Sequence, residues 1–174
     1  VSDISISLDV GEVIGFLGPN GAGKSTTMKM LTGFLEADSG SIEIKKIDLS
    51  KDPINAKSII GYLPEGAPSY SDMTVKSFLY FVGKMRGLKD ELLEKRLEIM
   101  LKDINLSDVQ NQIIETLSKG YKRRVGIAQA LIHDPDILIL DEPTDGLDPN
   151  QKFEMRKLIK SCLLYTSDAA DERN

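Results

Sequence analysis

Apolar Ile4, Ile6 and Leu8 alternate with polar Ser5 and Ser7, the two-residue period of a half-buried strand over residues 1–8. Residues 9–12 turn the chain back, and Val13, Ile14, Phe16 and Leu17 make residues 13–17 a second strand. The period then changes. Met28, Met30, Leu31 and Phe34 predict a helix from about Lys24 to Thr32, with Gly33 as its C-cap. Ser39 and Gly40 mark a turn before another alternating strand over 41–45, Asp52 and Pro53 open a short helical turn, and 58–63 reads as a strand closed by Pro64. Thr74 is the N-cap of a helix to about Met85, a second runs from Lys89 to about Lys102, and Gly87 separates them. A third spans 118–132 and ends at His133, Asp134 and Pro135. Ile137, Leu138, Ile139 and Leu140 follow as a buried strand over 136–140. Strands alternating with helices predict an α/β fold: a parallel-rich central sheet, an antiparallel N-terminal β part and a helical insertion over about 70–115.

Between the second strand and the first helix stands GPNGAGKST, residues 18–26, which matches G-x-x-x-x-G-K-[ST] through Gly18, Gly23, Lys24 and Ser25. Strand, loop and helix are the context a phosphate-binding loop requires. Glycines let backbone amides converge on an anion where a Cβ would intrude, so Gly18, Pro19, Asn20, Gly21, Ala22, Gly23 and Thr26 are expected to line a nucleotide triphosphate. Lys24 would reach its β and γ phosphates, and the Ser25 hydroxyl would ligate Mg²⁺. The strand over 136–140 delivers Asp141 and Glu142 together at its carboxyl end, where ligands of open α/β sheets bind. Asp141 is assigned the metal and Glu142 the general base; the plain alternative is a solvated acidic pair.

Composition narrows the setting. With 22 basic against 27 acidic residues and a net charge of −5, nothing supports a surface for nucleic acid or anionic lipid. No apolar stretch approaches the roughly 20 residues that span a bilayer, so membrane contact is expected only through a partner. Cys162 is the one cysteine and cannot form an internal disulfide; with no Cys/His cluster for zinc, a reducing compartment is the simpler setting.

The phosphate loop, LSKG at 117–120, ILILDEPT at 137–144 and GLDP at 146–149 stand in the order of an ATP-binding cassette (ABC) ATPase, which the chain resembles over residues 1 to about 161. The stretches 61–87 and 117–135 look most like the ATPases serving ABC-2 type permeases, in the gliding-motility and multidrug branch. The resemblance implies a truncated ABC nucleotide-binding domain with ATP and Mg²⁺ as cofactors. Two cassettes would close head to tail, identical or not, with Ser118 and Gly120 of one meeting the γ phosphate held by the other and Asp148 in the interface. Glu65 stands where the family has glutamine and would meet Mg²⁺ or water; Lys24, Glu65 and Glu142 are the catalytic set, and Ser25, Glu65 and Asp141 the metal set. The insertion after Glu65 would receive a cytoplasmic helix of an ABC-2 type transmembrane permease, placing the protein at the cytoplasmic face of a plasma membrane, in a prokaryote. The alternatives are a soluble ABC-family ATPase without a permease and, for this chain alone, nucleotide binding without hydrolysis.

Several residues depart from the family pattern. Lys119 and Tyr121 replace the Gly and Gln of the commonest LSGGQ form, and neither the adenine-stacking aromatic nor the switch histidine is found. His133, the only histidine, sits at a helix end, where interaction with the helix dipole accounts for it. Lys122, Arg123 and Arg124 read as a solvated helix face, and Phe78 and Phe81 as core. From about residue 162 the sequence resembles a translated transposase-type sequencing adapter, so 162–174 is expected to be a non-native tail on a fragment lacking both ends.

Overall fold

Ile60, Gly61, Tyr62 and Leu63 form β3 (Ile60–Leu63), which pairs in parallel with β4 (Ile137–Leu140), residue for residue from Ile60 opposite Ile137 to Leu63 opposite Leu140. The computed structural model describes residues 1–66 and 70–171, with side chains up to residue 162. The chain divides into two compact units, residues 1–57 with 160–174 and residues 58–159.

In the first unit, α1 (Lys24–Leu31) ends at Thr32, with Gly33 at φ 69° where a C-cap needs the left-handed region. A hairpin follows, β1 (Glu43–Ile44) and β2 (Ile47–Asp48), turned by Lys45 and Lys46, both at positive φ. Then comes α2 (Pro53–Ser58), opened by proline at its first position. Ile44, Leu49 and Ala56 are buried. The expected strands over 1–8 and 13–17 do not form, and the strand over 41–45 is reduced to β1. Val10 is 88% exposed and Leu17 96% exposed. Alternation fits a segment to the face of a sheet, but only a ladder partner makes it a strand. Among the described residues nothing pairs with either segment.

In the second unit, α5 (Lys119–Leu131) lies against β3 at close range. A Cβ on Gly61 would overlap the Ala130 carbonyl oxygen, and one on Gly126 would stand 2.5 Å from Leu63 Cδ1. The insertion holds α3 (Val75–Met85), capped by Thr74 Oγ1 accepting from Ser77 N, and α4 (Asp90–Asp103), whose first turn carries Asp90 and Glu91 at the positive dipole end. Its two ends are stitched together: Val75 N donates to Gln112 O, Ile114 N to Met73 O and Glu115 N to Ser71 O. The insertion is therefore a closed excursion that leaves and re-enters the unit at one place. Phe78 is core at 2% exposure, but Phe81 is 36% exposed and packs edge-on against Tyr70 at 5.3 Å, so only the first of the pair is fully inside.

Past β4 the chain forms α6 (Pro149–Asp171), an element the apolar pattern did not predict. Its start is nonetheless written in the sequence. Asp148 Oδ1 accepts from Gln151 N at 2.9 Å, and proline holds the first helical position.

Candidate functional site

The phosphate loop is built by local geometry. Gly21 has φ 83° and Gly23 φ 90°, conformations that a side chain resists, while Ala22 N donates to Pro19 O to close the turn. A Cβ on Gly18 would lie 3.2 Å from that of Ala22, so glycine keeps the turn tight. Lys24 Nζ donates to Gly18 O at 2.9 Å and to Pro19 O at 3.0 Å, which holds the ammonium at the centre of its own loop. Gly23 is the N-cap of α1 and offers no side-chain cap, and the first-turn amides are directed toward the loop. Asn20 and Thr26 are exposed, Ser25 is half-buried, and Thr27 Oγ1 bonds back to Gly23 O at 2.9 Å. This arrangement suits an anion with several oxygens.

The carboxylates are set by the register of the second unit. Asp141 N donates to Leu63 O at 2.9 Å, extending the parallel ladder one step past β4. Parallel strands in register end at the same edge, so Glu65 and the Asp141–Glu142 pair leave the sheet side by side. Asp141 is 4% exposed, whereas Glu65 and Glu142 are open. Glu142 has φ 49°, a conformation a residue with a Cβ seldom takes, and its carbonyl accepts from Asp145 N at 3.1 Å in the turn that follows. Tyr62 feels both acids: burial, then the charges of Asp141 and Glu65, pushes its phenol up.

Ser118 is the N-cap of α5, with Oγ accepting from Tyr121 N, and Gly120 is buried one residue into the helix. A groove of about 270 Å³ lies beside them, lined by Asn105, Ser118, Gly120, Tyr121, Arg124 and Gln151. Lys119 lies across Gly146, where any Cβ would overlap its ammonium, and its Nζ stands 3.9 Å from Asp145 Oδ2. The LSKG helix start and the GLDP loop are thus in contact within one unit. Asp148 is occupied as the N-cap of α6.

Among the described residues no group of three or more His, Cys, Asp or Glu is arranged for a metal. Nor is any described helix long and apolar enough to cross a membrane.

The comparisons agree with this geometry. Residues 1–145 match the ABC transporter family model. The chain belongs to the ABC transporter family. It is 40% identical to the linearmycin resistance ATP-binding protein LnrL of Bacillus subtilis over 99% of this chain and 57% of LnrL. It is equally identical to the ABC transporter ATP-binding protein NatA of the same organism, over 99% of this chain and 73% of NatA. The lipopolysaccharide export system ATP-binding protein LptB of Escherichia coli is 36% identical over 92% of the chain and 68% of LptB. The ABC chain thus spans between about half and three quarters of the length of these relatives. Among solved structures, cbiO1 of Clostridium perfringens, part of the ABC transporter complex cbiONQ, superposes with a TM-score of 0.83 at 31% identity over 94% of this chain and 66% of that one.

Two readings of the ABC chain are corrected by the geometry. Lys122, Arg123 and Arg124 are not a solvated face: Arg123 is 5% exposed and donates to Gly66 O at 2.9 Å, and Arg124 donates to Ile104 O at 3.1 Å. Helical spacing carried the signal, because position 123 shares the stripe of Gly120 and Ile127, both buried. His133 does not act as a cation at a helix end either. Burial first, then the Arg86 guanidinium, pushes it down to about 4, so the neutral ring donates from Nε2 to Ile60 O at 3.0 Å. The carbonyls at the end of α5 are served instead by Arg96, which donates to Leu131 O and Ile132 O and pairs with Asp134 at 3.0 Å.

Proposed function

We propose that this chain is the ATP-binding and ATP-hydrolysing part of an ABC-2 type membrane exporter. The observation that carries the reading is the parallel register of β3 and β4, which brings Glu65, Asp141 and Glu142 to one sheet edge in a chain that also holds a closed phosphate loop. The names of two relatives lean the same way, one for resistance to linearmycin and one for lipopolysaccharide export.

In this reading Lys24 and the loop amides hold the β and γ phosphates, with Gly18 to Thr26 as the cradle. Ser25, Glu65 and Asp141 would hold the Mg²⁺ that accompanies ATP, and the ion would supply screening of phosphate charge. Glu142 accepts a proton from the water whose oxygen bonds to the γ phosphorus as the bridging P–O bond breaks, leaving ADP and phosphate. A second cassette, head to tail, supplies its Ser118 and Gly120 to the γ phosphate, so that ATP favours the closed pair and closure drives the permease. The complex works at the cytoplasmic face of a plasma membrane, with membrane contact made by the permease.

The test is co-expression with a candidate ABC-2 type permease, followed by purification in detergent. Copurification, with ATP turnover abolished by Glu142→Gln, is the expected result. Turnover indifferent to Glu142→Gln overturns the catalytic assignment, and a chain that never associates with a permease overturns the exporter.

A further inference from the structure

The second unit contains a contact that none of the ATP chemistry above requires. Arg123 is a buried arginine on α5 whose Nη1 donates to the carbonyl of Gly66, the residue directly after Glu65. Burying a guanidinium costs solvation that an apolar side chain would not forfeit, so its position calls for an explanation beyond packing. The next residue, Arg124, anchors α5 in another direction, donating to Ile104 O at the end of α4. One arginine therefore ties α5 to the insertion and its neighbour ties α5 to the Glu65 loop. Gly66 stands at φ 106°, which only glycine adopts easily, so the chain turns sharply where Arg123 grips it.

We propose that Arg123 is a positioning residue that couples Glu65 to the helix start bearing Ser118 and Gly120. Arg123 lies three residues along α5 from Gly120, about 4.5 Å of helix rise, so a displacement of that helix start passes along a stiff rod to the Gly66 carbonyl. Glu65, held through its neighbour's peptide, moves with it. A phosphate engaged at Ser118 and Gly120 would in this way set the placement of a carboxylate in the same chain. This rests on the reading of Glu65 as a ligand for Mg²⁺ or its water.

The experiment compares the purified chain with Arg123→Met, Arg123→Lys and Glu65→Ala. Hydrogen exchange reads the contact directly. In Arg123→Met the amides of residues 60–66 should exchange about tenfold faster or more, the scale of one lost charge-assisted hydrogen bond, while those of α3 and α4 hold their rates. Arg123→Lys should restore part of the protection, because an ammonium can still donate to the carbonyl. Unchanged exchange over 60–66 overturns the proposal. So does a uniform rise across residues 58–159, which would make Arg123 a plain core residue.

Calorimetry of ATP with and without Mg²⁺ reads the consequence. Glu65→Ala and Arg123→Met should reduce the gain in affinity from Mg²⁺ by the same factor, and the double variant should lose no more than either. Loss in Glu65→Ala with full retention in Arg123→Met overturns the coupling. Full retention in Glu65→Ala removes the metal reading of Glu65 and the coupling to it, and the exchange result then decides whether Arg123 holds the loop.

Discussion

Asp141 and Glu142 are adjacent in the chain, yet Asp141 is 4% exposed and Glu142 lies open at φ 49°. The last ladder bond, from Asp141 N to Leu63 O, keeps the first acid with the sheet, and the left-handed turn releases the second. Two neighbouring carboxylates thereby occupy different environments. Glu142→Gln should lower ATP turnover by roughly 10²–10⁴-fold while leaving ATP affinity near that of the parent. Asp141→Asn should instead weaken the dependence of ATP affinity on Mg²⁺. Calorimetry beside a phosphate-release assay separates the two, and equal effects from both variants would contradict the division of labour.

Lys24 Nζ donates to Gly18 O and Pro19 O, so its ammonium fastens its own loop. Lys24→Ala should weaken ATP binding by roughly 10–100-fold, the scale of one charged hydrogen-bonding partner. Calorimetric affinity within twofold of the parent would remove this loop from nucleotide binding.

Gly61 is required by the close approach of α5 to β3, since a Cβ there would overlap the Ala130 carbonyl oxygen. The neighbour is backbone and cannot swing aside. Gly61→Ala should therefore destabilise the protein by about 1–3 kcal/mol through overpacking. Urea unfolding followed by circular dichroism tests it, and an unchanged midpoint would mean that the helix can stand off the strand at little cost.

His133 links stability to pH. Burial and then Arg86, with a smaller effect of Arg96, depress it from 6.5 to about 4, against the opposing influence of the Ile60 carbonyl and Asp134. Between these values the unfolded chain binds more protons than the folded one, so stability is complete above pH 6.5 and declines as the pH falls toward 4. Discounted for the partly exposed ring, the loss is roughly 1–2 kcal/mol. His133→Leu should be less stable than the parent at pH 7, having lost the bond to Ile60 O, but should show a shallower decline between pH 6.5 and 4. Parallel declines in the two proteins would place the acid sensitivity elsewhere.

Local chemistry was sufficient to read several elements from the sequence. Thr74 caps α3, Ser118 caps α5, Gly33 follows α1 in the left-handed region, and Gly21 and Gly23 open the phosphate loop, because each is determined by a few successive residues. The Asp148–Pro149 start of α6 belongs to the same class, although α6 has no strong apolar periodicity to draw attention to it. The order of the four motifs was equally a property of the sequence, and it carried the family.

Tertiary structure decided what depends on partners distant along the chain. The alternation over 1–8 and the apolar run over 13–17 are compatible with strands, but a strand exists only with a ladder beside it, and the parallel pairing that forms joins residues 60–63 to 137–140. That register brings Glu65 to the edge occupied by Asp141, a juxtaposition that 75 residues of intervening chain conceal. Arg123 and His133 carry the same lesson. A basic triplet suggests solvent and a histidine at a helix end suggests a cation, yet a guanidinium bound to Gly66 and a ring pressed against Ile60 follow from which surfaces meet, and burial then decides charge and contact.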